Sequence, residues 1–300
     1  MVVMTPISDS WYREHLVCPD CRSELTIVPK KITCSACNYA HQIAGHPELK
    51  PIKPPPLTVA LPRIVSPHPV DVLEKTNILP PKLTYDGPVA KRDSRELMSE
   101  IKRLLKTSGR VLDLGCGPRD QIKPITHLGH QYVGIDYSNS LSDFLADAHA
   151  LPFADNTFDC VLSYAVLEHL HNPFIAATEV ERVLKPGGVY IGTVSQGEPF
   201  HDSYFHHTPW GLLSLVSSVT DLEILRLWSS DDTLGSLSRM GRYPKIVKLL
   251  LKIVDNIHVK IPLLAPRKMK WPERDKVLDH LYRAGSLCFV AQKPNTKSDN

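Results

Sequence analysis

Long hydrophobic runs are missing from this 300-residue sequence: no stretch approaches the roughly 18 apolar residues that a helix needs to cross a bilayer. The opening residues, MVVMTPISDSWYREH, also lack the basic segment followed by an apolar one that directs secretion. A cytoplasmic location is therefore the expectation. Charge of one sign is scarce too: 35 Lys and Arg against 32 Asp and Glu leave a net +3, too little to imply a nucleic-acid partner by itself. Complete pairing into disulfides is excluded by the odd count of seven cysteines, which in a reducing compartment read as thiols or metal ligands. What remains is an ordinary apolar fraction of 42%. That suffices for a proper core in one large α/β domain, or in one ordinary domain with a smaller companion.

The chain is organised around residues 110–120, RVLDLGCGPRD. Val111, Leu112, Asp113 and Leu114 read as a short buried strand that runs straight into Gly115-Cys116-Gly117. Two glycines one residue apart permit a sharp turn and let a ligand approach closer than a Cβ would allow. A helix opening after the turn would point its free N–H groups at whatever binds there. A second apolar run, QYVGID at 131–136, ends in Asp136 about 20 residues on, where dinucleotide folds place a ribose-binding acid.

Further motifs follow in order: Asp147-Ala148-His149 with LPF close behind, FDCVLSYAVLEHL from residue 158, and EVERVLKPGGVYIGTVS from residue 179. With the glycine turn, they closely resemble the class I S-adenosylmethionine-dependent methyltransferases, the type 11-like group in particular. The resemblance covers roughly 109–195, with a weaker tail to 294. It implies a Rossmann-like α/β domain with a mostly parallel seven-stranded sheet, and S-adenosylmethionine as cofactor. The DAH-LPF segment and a later motif, His201-Asp202-Ser203-Tyr204 with Thr208-Pro209-Trp210-Gly211-Leu212, are similar to bacterial-type enzymes that methylate surface sugars and small molecules.

Residue roles follow from that resemblance. Asp113 would orient the glycine loop or meet the amino group of the methionine moiety, with Gly115, Cys116, Gly117 and Tyr137 also around the cofactor. Asp136 would take both ribose hydroxyls, and Asp147-Ala148 would sit at the adenine edge. Ser163 and Tyr164 lie at the carboxyl end of their strand, where open α/β sheets bind ligands. Glu168-His169 falls beside cofactor and acceptor. His169 has a usable pKa for accepting a proton, and a structural histidine holding the loop is the other reading. His201, Tyr204 and His207 are expected to wall the acceptor pocket; a metal site in this loop is the weaker alternative. Two departures stand out: Arg119 replaces the family's third glycine, which would bring a guanidinium towards the methionine end, and His206-His207 replace an arginine–aromatic pair.

Near the N-terminus, Cys18-x-x-Cys21 and Cys34-x-x-Cys37 are separated by twelve residues. Each pair can present two thiolates from one knuckle, and four thiolates in a tetrahedron suit a structural Zn²⁺ with no open coordination position. The residues between, RSELTIVPKKIT, read as a hairpin. This stretch resembles the zinc ribbons that include small activators of tRNA methyltransferases. The domain reading is a ribbon at 1–50, a proline-rich linker at 51–88 and a methyltransferase domain at 89–294. An insertion or lid occupies 230–285, and a tail at 295–300 is expected to be disordered.

Within the catalytic part the expected elements are a helix at 94–106, a strand at 110–115, a short helix at 120–128, strands at 131–136 and 141–147, and a strand ending at 164. A helix at 174–184 and strand 189–194 follow, then a helix capped by Thr208, a strand at 222–228, a basic amphipathic helix at 243–261 and a last strand at 286–292. The function expected is methyl transfer to an oxygen or nitrogen of a small-molecule, glycan or lipid-linked acceptor, with an anionic membrane surface or amphiphile as a further partner. An RNA methyltransferase that grips RNA through the ribbon is one alternative, disfavoured because SYAV stands where base-amine enzymes carry an Asn-Pro-Pro-aromatic tetrad and the ribbon holds few lysines. A non-enzymatic cofactor-binding or partner-docking protein is the remaining alternative.

Overall fold

A computed structural model of the protein describes residues 7, 10–53, 95–199, 202–260, 281 and 283–295. Most of the proline-rich stretch, His201, residues 261–280 and the tail from 296 lie outside the described residues. The main sheet comprises β4 (Arg110–Leu114), β5 (Gln131–Asp136), β6 (Phe144–Leu145), β7 (Phe158–Tyr164), β8 (Leu184–Ser195), β9 (Glu223–Asp232) and β10 (Ala284–Gln292). Their order is β6-β5-β4-β7-β8-β10-β9. All neighbours from β6 to β8 are parallel, and β10 runs antiparallel to both β8 and β9. This is the Rossmann-like seven-stranded α/β fold expected from the sequence. Both faces of β4 and β7 are buried, which is why they read as continuous apolar runs rather than alternating ones.

The helices are α1 (Arg95–Leu104), α2 (Ile122–His127), α3 (Pro173–Val183), α4 (Pro209–Val219), α5 (Thr233–Met240) and α6 (Lys245–Lys260). Local chemistry sets their starts. The Asn172 side chain accepts from Ile175 N at 3.3 Å with proline in the first turn of α3, and Thr208 does the same for Gly211 N at the head of α4. The helix expected at 120–128 is only six residues long. The residues expected as a turn at 185–188 form a bulge inside β8, where Phe158 pairs with Leu184 and Cys160 with Val189.

The N-terminal segment folds into a three-stranded antiparallel sheet, β1 (Thr26–Val28), β2 (Lys31–Thr33) and β3 (Ala40–Gln42). The hairpin between the cysteine pairs is present, and a third strand joins it. This small sheet shares one core with the main sheet. Tyr12, Leu16, Ile32, Tyr39 and Leu49 are buried in the same cluster as Phe144, Phe153 and Phe158. Trp11 packs edge-on to Phe158 at 6.2 Å between centroids, and Phe153 edge-on to Phe158 at 4.8 Å. Backbone pairing continues across the junction. Leu49 N donates to Leu145 O at 2.7 Å and Leu145 N to Pro47 O at 2.9 Å, so residues 47–49 extend the edge of β6. On the other side Val17 N donates to Pro152 O, and Ala154 N to His15 O.

Candidate active site

The carboxyl ends of β4, β5 and β7 open into a cavity of about 530 Å³. That lies within the range of small-molecule pockets. Gly115 leaves β4 with φ of +68°, and an added Cβ would meet Val166 Cγ2 at 2.5 Å. A side chain here would therefore strain the backbone and collide with the loop after β7. Cys116 N donates to Ile135 O, and Gly117 N donates to Asp136 Oδ2 at 3.0 Å. The turn is thus stitched to the neighbouring strand rather than free. Asp136 Oδ1 also accepts from Ser138 N and Asn139 N at 3.0 and 2.9 Å. One carboxylate holds both loops that floor the cavity.

The opposite wall is the loop after β6. Asp147 Oδ1 accepts from His149 N at 2.9 Å and from His149 Nδ1 at 2.6 Å. Because Asn172 N donates to His149 Nε2, the ring is the neutral tautomer with its proton on Nδ1. Burial pushes the Asp147 carboxyl up, but the His149 bonds outweigh it and hold it below its usual range. Asp147 Oδ2 has no partner among the described residues. His149 stacks on His171 at 4.1 Å between centroids, and both rings line the cavity with Ala148 and Leu170. Ala165 lines it too, with a left-handed φ of +55°, its N held by Thr193 Oγ1 at 2.9 Å. This strained crossing directly follows β7.

Of the cofactor residues named from the sequence, Gly115, Asp136, Tyr137, Asp147 and Ala148 line the cavity. Asp113, Cys116, Gly117, Ser163 and Tyr164 do not. Asp113 is buried beneath the turn and accepts from Tyr132 OH at 2.7 Å. Burial pushes its carboxyl up to about 7, against the opposing pull of Tyr132 and Arg119. Ser163 is fully buried beneath the sheet edge. Arg119 is directed away from the site expected for it: its Nη2 donates to both oxygens of Asp143, at 2.9 and 2.8 Å, and its guanidinium lies over the Tyr132 ring. Gly134 N donates to the same carboxylate. The arginine is therefore a buried clamp, with a left-handed φ of +64° inherited from the glycine it replaces.

His169 lines the cavity, and its Nδ1 donates to Asp202 O at 3.2 Å, which places a proton on that nitrogen. Its neighbour Glu168 is fully buried. Glu168 Oε1 accepts from Ser195 N, and its carbonyl accepts from Tyr204 N and Phe205 N at 2.7 and 3.1 Å. Burial pushes this carboxyl up as well. Tyr204 is 68% exposed at the cavity mouth, whereas His207 is buried and away from it. His149, Ala165, Leu170 and His171 were missed as site residues. His149 stood in the same DAH motif as Asp147, but its double bond to that acid depends on a turn that spacing does not reveal.

The four cysteines Cys18, Cys21, Cys34 and Cys37 bring their sulfurs within 4.8 Å of one another. Cys18 and Cys37 are 3.5 Å apart, and Cys21 and Cys34 3.6 Å. Zinc–thiolate bonds of about 2.3 Å in a tetrahedron give sulfur–sulfur edges of about 3.8 Å, so the donor set fits such an ion.

Residues 112–192 match the family described as a methyltransferase domain. The chain is 39% identical over 148 residues to a demethylmenaquinone methyltransferase of Renibacterium salmoninarum, covering 42% of this chain and 62% of that protein. It is 30% identical over 126 residues to a ubiquinone biosynthesis O-methyltransferase of Dinoroseobacter shibae, covering 35% and 51%. The matched segments thus span less than two thirds of these relatives. Among solved structures, a putative sarcosine dimethylglycine methyltransferase from Galdieria sulphuraria matches at TM-score 0.45 and 17% identity, covering 71% of this chain and 93% of that one.

Proposed function

We propose that this chain is an S-adenosylmethionine-dependent methyltransferase acting on an oxygen or nitrogen of a small-molecule acceptor, with a structural Zn²⁺ in its ribbon. The observation that carries the reading is the cavity itself: Asp136 and Asp147 face one space across the Gly115 turn, within the stretch that matches a methyltransferase domain. When bound, the cofactor supplies an electrophilic methyl group on a sulfonium.

Asp136 Oδ2 accepts one bond from Gly117 N and retains a lone pair, placed to take a ribose hydroxyl. Asp147 Oδ2 is placed to accept from an adenine amine, while His149 fixes the carboxylate from the other oxygen. Ala148 and Leu170 supply apolar surface for the ring. His169 Nε2 serves as proton acceptor where the acceptor atom carries a proton, and Tyr204 borders the entrance. Most of the rate comes from holding the reacting atoms in line in a space that excludes water. Two quinone-methylating relatives favour a small-molecule acceptor over RNA.

The test is isothermal titration of S-adenosylmethionine into the purified chain, followed by incubation with methyl-labelled cofactor and separate pools of small metabolites, extracted lipids and RNA. Saturable binding and label in the metabolite or lipid pool are expected. An absence of heat, or label in RNA alone, would overturn the reading.

A further inference from the structure

Helix α6 carries Ile246, Leu249, Leu250, Ile253, Val254 and Ile257, each between 46% and 63% exposed. At 100° per residue they fall within an arc of about 140°, an apolar face running about 17 Å from Ile246 to Ile257. The half-buried Val247 borders the stripe beside Val254, with half-buried Leu251 beyond it, and α6 packs against α5. The sequence admits either direction for this apolar stripe; the structure turns it outwards. Among the described residues nothing covers this stripe, and soluble monomers seldom leave so much apolar surface open, so it calls for a partner.

Charge identifies the partner. Lys245 and Lys252 are exposed along one flank of the stripe, and Arg242 is exposed just before the helix. Residues 242–260 hold five Lys and Arg against one acid, and the chain continues as IPLLAPRKMKW, with three more basic residues and a tryptophan. An apolar face edged by lysines fits the interface of a bilayer with anionic headgroups, lying in its plane. No helix among the described residues is long and apolar enough to cross a membrane.

Topology places the start of α5, which leads into α6, at the edge of the sheet where the cavity opens. Strand β8 runs parallel to β7, so Ser195 lies at the same edge of the sheet as Tyr164. Ser286 pairs with Ser195 and Ala284 with Asp232, so β9 ends and α5 begins at that same edge. We propose that α6 is a docking surface for an anionic lipid bilayer, holding the cavity mouth towards the membrane. Resting further on the methyl transfer proposed above, the acceptor would then be an amphiphile drawn from the bilayer.

The test is flotation of the full chain with vesicles of phosphatidylcholine alone or mixed with phosphatidylglycerol, at low and high salt, with light scattering on the unbound protein. Wild type should float with the anionic vesicles at low salt and be released at high salt. Lys245→Gln/Lys252→Gln should lower the partition coefficient about 25-fold, about fivefold per lysine. Leu249→Asn/Ile253→Asn should abolish flotation with an unchanged melting temperature, because both side chains are half in solvent already. Wild type that stays unbound at low salt overturns the proposal, whether light scattering shows a monomer or a dimer that Leu249→Asn/Ile253→Asn dissolves. So does flotation that neither double variant reduces. Calorimetric cofactor binding, run in parallel, reports on the catalytic reading independently.

Discussion

Replacing Asp136 by alanine should damage the apo protein and cofactor binding together. From its position at a strand end this acid reads as a ligand for ribose alone, and its loss would then leave the fold intact. The structure shows three backbone donors on it, from Gly117, Ser138 and Asn139. Bonds to a charged acceptor are each worth about 1.5–3 kcal/mol, and partial exposure lets water recover some of that. About 1 kcal/mol per donor, or roughly 3 kcal/mol in all, is a reasonable expectation. For a domain of this size it corresponds to a fall in melting temperature of about 6–12 °C. Losing the charge-assisted bond to a ribose hydroxyl would weaken cofactor binding by a further factor of about 10 to 10². Scanning calorimetry of the apo protein and titration of S-adenosylmethionine check the two parts separately. Wild-type melting with lost affinity would refute the clamp, and wild-type affinity would refute the ribose assignment.

Asp113, buried with its carboxyl pushed up to about 7, binds its proton more tightly in the folded state, so it should lower stability as pH rises from about 4 to about 7. Asp113→Asn, which can still accept from Tyr132 OH, should remove that slope, and parallel melting curves of variant and wild type across this window would refute the effect. Arg119→Gly should relieve a left-handed backbone worth about 1 kcal/mol but strand Asp143 in the interior, for a net loss of about 2–3 kcal/mol by denaturant titration. An unchanged midpoint would show that the pair contributes no more than the backbone strain it offsets. Cys18→Ser should cost one equivalent of zinc per chain by elemental analysis. It should also weaken cofactor binding about tenfold, or ~1.4 kcal/mol, through the 145–154 loop that the ribbon braces. Full affinity in the metal-free variant would sever that link.

Much of the cavity was legible from residue order because a parallel sheet gathers its ligands at consecutive strand ends. The Gly115 turn and Asp136 needed only local spacing, while Asp147 came from the family resemblance. Arg119 misled, since its place in the glycine pattern says nothing of Asp143, which waits 24 residues on beneath Gly134. The third ribbon strand, Ala40–Gln42, is three residues with no buried member, so alternation left no trace of it. The outward face of α6 was invisible for a different reason. Periodicity defines a stripe but not what it faces.

The junction between ribbon and catalytic sheet also orders events during synthesis. Tyr12, Leu16 and Leu49 emerge early, yet the surfaces that cover those apolar residues extend to Phe153. Roughly 100 residues, or about 5–20 s of elongation, separate the two. Through that interval the nascent ribbon would carry its sticky face uncovered. Closing so large a loop gives no reward until the strands on both sides exist. The N-terminal sheet is therefore the first part of this protein to emerge and among the last to be finished.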